Sequence, residues 1–164
     1  MRRTFLRAAL MAGASLTASA MPSGSATAHD FRAGDLQIGH PWTRAVAASA
    51  STAAGYMTIR NTGSVADRLV GAETSRVNKV EQHEMTMTDG IMRMRPIPRG
   101  IAIPPGQEVR LAPGGLHLML IGPQGGFTQG ARIPLTLVFE RAGRVEVELA
   151  VEAAGARGSG HDGH

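Results

Sequence analysis

The chain has 164 residues, 43% of them hydrophobic and 18% charged, enough for one packed domain of ordinary size. It contains no cysteine, which excludes disulfides, thiolate zinc sites, iron–sulfur clusters, cysteine nucleophiles and the thiolate-dependent blue-copper centre. The formal net charge of +4 does not indicate a nucleic-acid partner: three arginines belong to the N-terminal leader, and without them 14 basic residues face 13 acidic ones, with no basic patch interleaved with aromatics.

Residues 1–28 read as an export signal. Arg2, Arg3 and Arg7 form a basic start, residues 8–20 a small-residue apolar segment, and Ala26-Thr27-Ala28 an A-x-A cleavage pattern that places the mature start at His29. The opening Arg2-Arg3-Thr4-Phe5-Leu6-Arg7 fits a twin-arginine signal as well as a Sec signal, and both routes leave the cytoplasm. Beyond the leader no apolar run is long enough for a membrane span, so none is expected in the mature chain.

With 21 Gly and 9 Pro, residues 29–153 read as one loop-rich domain of short strands, a sandwich or barrel. Residues 35–40 alternate Leu36 and Ile38 with polar neighbours. Residues 55–61 form the next strand and end at Asn61-Thr62-Gly63. Strands at 68–74 and 79–87 follow, and Asp89-Gly90 then marks a hairpin into 91–95. Pro104-Pro105-Gly106 and Pro113-Gly114-Gly115 bracket a short strand at 108–111. Residues 116–121 are densely apolar, as expected for a strand buried on both faces. Residues 133–140 and 144–151 make a final hairpin across Ala142-Gly143. Residues 154–164 are a Gly- and His-containing tail expected to lack order. Trp42 is expected in the core, with His40 hydrogen-bonded in a structural role.

Chemistry concentrates in three segments: His83-Glu84-Met85-Thr86-Met87, Met92-Arg93-Met94 and His117-Leu118-Met119. Residues two apart on a strand face the same way, so each segment presents its histidines and methionines on one side. The Asp89-Gly90 turn folds the first two segments together, and three strand ends can converge imidazoles and thioethers on one point. Thioether sulfur is neutral and polarisable and favours Cu(I) over hard cations. Neutral ligands leave the ion a single positive charge, which is cheaper to desolvate than two. Methionine at strand spacing is more often packing than ligation when taken singly. Two His-x-Met units with two further methionines across a hairpin form a combination that packing alone does not call for.

The pattern closely resembles the periplasmic PCu(A)C copper chaperones. It consists of His83, ten residues, Met94, twenty-two residues, then His117-Leu118-Met119, one residue longer before the distal unit than the commonest form of the motif. The resemblance extends to His40-Pro41-Trp42-Thr43-Arg44, Ala66-Asp67-Arg68-Leu69-Val70 and Pro134-Leu135-Thr136-Leu137-Val138-Phe139-Glu140. It implies an all-β, cupredoxin-like (immunoglobulin-like) Greek-key β-sandwich in the periplasm, binding Cu(I) through His83, Met94, His117 and Met119; separately, the chain is expected to be a monomer. It also implies delivery of copper to the binuclear centre of cytochrome c oxidase, through the oxidase's copper subunit or a Sco-type protein.

Met85, Met87 and Met92 are not ligands by the match; they would serve as accessory thioethers, with core packing the favoured role. His29, His161 and His164 form a candidate secondary site for Cu(II), which prefers nitrogen and oxygen donors. The alternatives are a copper buffer without a dedicated client, a copper enzyme, and a plain scaffold. The enzyme reading is disfavoured because two thioethers bias the ion to Cu(I) and no hydrolytic Ser-His-Asp or paired-carboxylate pattern is present.

Overall fold

The computed structural model describes residues 30–158. The leader 1–28, His29, His161 and His164 lie outside the described residues. Among the described residues there are eleven strands and no helix. The strands are β1 (Phe31–Ala33), β2 (Leu36–Arg44), β3 (Thr52–Asn61), β4 (Asp67–Glu73), β5 (Lys79–Thr88), β6 (Ile91–Pro96), β7 (Ile101–Ile103), β8 (Glu108–Leu111), β9 (Leu116–Ile121), β10 (Arg132–Phe139) and β11 (Gly143–Glu152).

The hydrogen-bonded path runs β6-β5-β9-β3-β2-β11-β10-β4-β7, with β1 on β2 and β8 on β3. Its non-sequential neighbours, β9 between β5 and β3 and β10 between β11 and β4, are crossovers of the Greek-key kind. All pairings are antiparallel except β11 with β2. This is an all-β, cupredoxin-like sandwich, as expected.

Period-2 patterning drives it. On β10 and β11, Ile133, Leu135, Leu137 and Phe139 alternate with exposed or half-buried residues, as do Val145, Val147, Leu149 and Val151. They close on Leu36, Ile38, Met57, Ile59, Leu118 and Leu120 from the other half of the path, forming one core. Each fully buried aliphatic side chain contributes about 1.5–3 kcal/mol of transfer free energy, which is what fixes strand register. At the edge of that core, Asp67 accepts backbone N–H bonds from Arg68, Arg141 and Ala142, at 2.7, 2.9 and 3.0 Å, and so ties the β10–β11 turn to β4.

Trp42 is buried, as expected, though outside the main cluster: a register shift on β2 between Gly39 and Trp42 sets it against Tyr56, with ring centres 4.7 Å apart. His40 adopts a left-handed φ of 42° there and hydrogen-bonds Glu152 through Nε2 at 2.7 Å, the structural role expected of it. On β9, Leu118 and Leu120 enter the core and Leu116 packs against it, while the other face carries buried His117 with half-buried Met119 and Ile121, so the strand is covered on both faces but more deeply on the core side. The chain just past Ala153 also takes a place in the fold, with Arg44 Nε donating to the Ala156 carbonyl at 2.7 Å.

Candidate metal centre

The outer face of β3, β9, β5 and β6 carries the His–Met segments. Antiparallel register places His83 opposite His117 and Glu81 opposite Met119 across β5–β9, Met119 opposite Ala54 across β3–β9, and Met85 opposite Met94 across β5–β6. Residues directly opposite in an antiparallel pair share a face. His83, Met94, His117 and Met119 are therefore on one surface of neighbouring strands. The hairpin that brings Met94 in turns at Asp89 and Gly90 with φ of 52° and 75°, the positive pair a two-residue type I′ turn requires.

Met94, His117 and Met119 line one open pocket of about 260 Å³ together with Met85, Ala54, Tyr56, Arg44 and Val46. Val46 is held there by a bridge to Phe127, and Gly126 allows it: at φ 71° its missing Cβ would meet the Val46 carbonyl at 2.6 Å. His83 does not line the pocket itself; its ring centre lies 5.9 Å from that of His117, tilted by 53°. A metal–nitrogen bond of about 2 Å puts each imidazole centre roughly 3 Å from the ion, so two rings sharing one ion have centres no more than roughly 6 Å apart. The observed separation meets that limit.

Each ring is oriented by a second partner. His117, only 4% exposed, is bonded through Nδ1 to the Gly115 carbonyl at 2.9 Å, which leaves Nε2 as the free lone pair. The same carbonyl accepts the Met85 backbone N–H, so one oxygen joins β5 to the His117 end of β9. His83 bonds through Nε2 to Glu81 at 2.8 Å, and its Nδ1 is buried with no hydrogen-bond partner. A buried nitrogen lone pair left unpaired is costly unless something binds it. Lys79, 2.5 Å from Glu81, and the His83 ring hold the Glu81 carboxyl below the usual carboxylate range, so it stays an anion beside the imidazole. Carboxylate–imidazole support of this kind orients metal-ligating histidines. The sequence reading missed Glu81, although Glu81 and His83 are two apart and share a face.

The accessory methionines do not pack in the core. Met85 is half-buried at the pocket, Met87 and Met92 are 68% and 56% exposed, and all of β6 is exposed. The reason is topological: β6 ends the sheet path and pairs with β5 alone. Among the described residues no group of three or more His, Cys, Asp or Glu side chains could hold a metal ion. No helix among the described residues is long and apolar enough to cross a membrane.

A cupredoxin-like sandwich bearing this His–Met constellation on its outer face is a domain of the PCuAC class. The family profile described as "Putative lipoprotein LpqE-like" matches residues 36–151. A curated relative, "Putative lipoprotein Lxx21020" of Leifsonia xyli subsp. xyli (strain CTCB07), is 33% identical over 145 residues, 88% of this chain and 86% of its own. The copper-bound PCuAC domain from PmoF2 is 33% identical with a TM-score of 0.65, covering 76% of this chain and 98% of that one. The Cu(I) form of DR1885 from Deinococcus radiodurans is 27% identical with a TM-score of 0.54, covering 68% of this chain and 74% of that one. The chain belongs to the LpqE-like family, and through it to the PCuAC family.

Proposed function

We propose that the protein is an exported metallochaperone that carries one Cu(I) ion on His83, Met94, His117 and Met119 and delivers it to a copper-requiring client. The observation that carries this reading is the unpartnered, buried Nδ1 of His83, on a ring 5.9 Å from His117, whose own Nδ1 is tied back to Gly115. The copper carried by the PmoF2 domain and by DR1885 supports it.

The exposure gradient sets an order of exchange. Met94, 46% exposed on the edge strand, leaves first to a partner's soft ligand; Met119 follows; His83 and His117, 14% and 4% exposed, hold the ion last. Neutral donors keep the complex at a single positive charge, and the nearby Arg44 adds a fixed positive charge that disfavours a divalent ion. The client we propose is the binuclear copper centre of cytochrome c oxidase, reached directly or through a Sco-type protein in the periplasm. Deleting the gene tests it: oxidase activity lost in low copper and restored by added copper supports delivery. Copper sensitivity with normal oxidase activity supports the alternative, buffering without a dedicated client.

A further inference from the structure

Beyond the inner site, the β5–β6 hairpin carries a second set of sulfurs that nothing in the fold uses. Met87 stands opposite Met92, one step out from Met85 opposite Met94, and all four are on the face that bears His83 and His117. Directly opposite residues have Cβ atoms about 4.5–5.5 Å apart, and diagonal ones remain within reach of long side chains. Met87, Met92 and Met94 are 68%, 56% and 46% exposed, so neither core packing nor shielding of buried surface accounts for them. The hairpin does not depend on them either: its register is set by the Asp89-Gly90 turn and by Arg95 bonding Glu84 on the other face at 2.8 Å. Exposed methionine on a free edge strand is an aggregation and oxidation liability that polar residues avoid.

We propose that Met87 and Met92, completed by Met85, form an outer docking position for a soft monovalent d10 ion, Cu(I) or Ag(I), through which the ion enters and leaves the inner site. Three neutral thioethers without an imidazole bind weakly and exchange fast, which suits a loading position and not a storage one. The cross-strand pairs then form a graded path from solvent: two exposed thioethers, then Met85 with Met94, then the two imidazoles. The proposal rests on the inner site being a cuprous site, and its test separates the two.

The test is a titration of the protein carrying 13C-methyl-labelled methionine with Ag(I), followed by NMR, beside the double variant Met87→Leu/Met92→Leu. The first equivalent is expected to shift the Met94 and Met119 methyls, and the second to shift Met87 and Met92 in fast exchange. In the variant the first equivalent binds with unchanged affinity, the second is lost, and release of bound Cu(I) to a competing chelator slows. Met87 and Met92 methyls that stay still beyond one equivalent, or a release rate equal to that of the parent, overturn the proposal. Failure of the inner reading shows separately, as Met94 and Met119 methyls that do not move at the first equivalent.

Discussion

Replacing Met94 by leucine removes one sulfur while keeping the side-chain volume nearly constant. Met94 is 46% exposed, pairs with Met85 on an edge strand and contributes nothing to the core, so the apo protein is expected to keep its stability within about 0.5 kcal/mol. Its effect on Cu(I) is of another order. Mutating a group that merely orients a metal ligand reduces affinity about 10–100-fold, and a ligand itself is worth at least the upper figure. A hundredfold loss corresponds to about 2.8 kcal/mol. The assay is competition for Cu(I) against a chromogenic chelator under reducing conditions, paired with a thermal melt of the apo protein followed by the fluorescence of Trp42, the only tryptophan. A chelator competition curve superimposable on that of the parent, with the melt also unchanged, would refute the ligand set.

Two further outcomes follow from groups around the site. Glu81→Gln removes the carboxylate that fixes His83 through Nε2 at 2.8 Å and is expected to weaken Cu(I) binding by roughly tenfold with the fold intact; an affinity equal to the parent's would leave Glu81 without a role at the site. Tyr56 is the only tyrosine, and its pKa is raised, chiefly by burial of the phenol and against the opposing effect of Arg44. Its folded pKa therefore lies above its unfolded one. The stability it contributes is fully present below about pH 10 and is lost as pH rises through the folded pKa. Spectrophotometric titration should place the tyrosinate midpoint above that of the unfolded chain, and Tyr56→Phe should keep its stability into the alkaline range where the parent loses it.

How much of this was legible in the sequence depends on which force fixed each element. Asp89-Gly90 announced its hairpin because only a short list of residues accepts two positive φ angles, and the strands it joins run close to their expected limits. The strands at 108–111 and 116–121 match because proline and glycine bracket them. β1 and β7, three residues each, carry too little pattern to be seen and form because a neighbouring edge is available: β2 for one, β4 for the other. Trp42 reads as buried and is, but its packing against Tyr56 has no local signal, because it follows from the register shift between Gly39 and Trp42.

Period-2 reasoning put the histidines and methionines of each segment on common faces. What it could not supply was which segment ended the sheet. That fact alone moves Met87 and Met92 from expected packing to solvent, and it depends on the pairing of β5 with β9, far apart in sequence, rather than on any local signal. Gly115, whose carbonyl orients His117, reads in the sequence only as a turn residue.

The proposed function requires two imidazoles and two thioethers from β5, β6 and β9 to meet at one cuprous ion. X-ray absorption at the copper edge, on the protein loaded with a single equivalent under reducing conditions, reads that set directly. The expected spectrum is that of Cu(I) with two sulfur and two imidazole-nitrogen neighbours, with one sulfur lost in Met94→Leu and one imidazole lost in His117→Ala. A spectrum fitted by nitrogen and oxygen alone, or one that neither substitution alters, would contradict it.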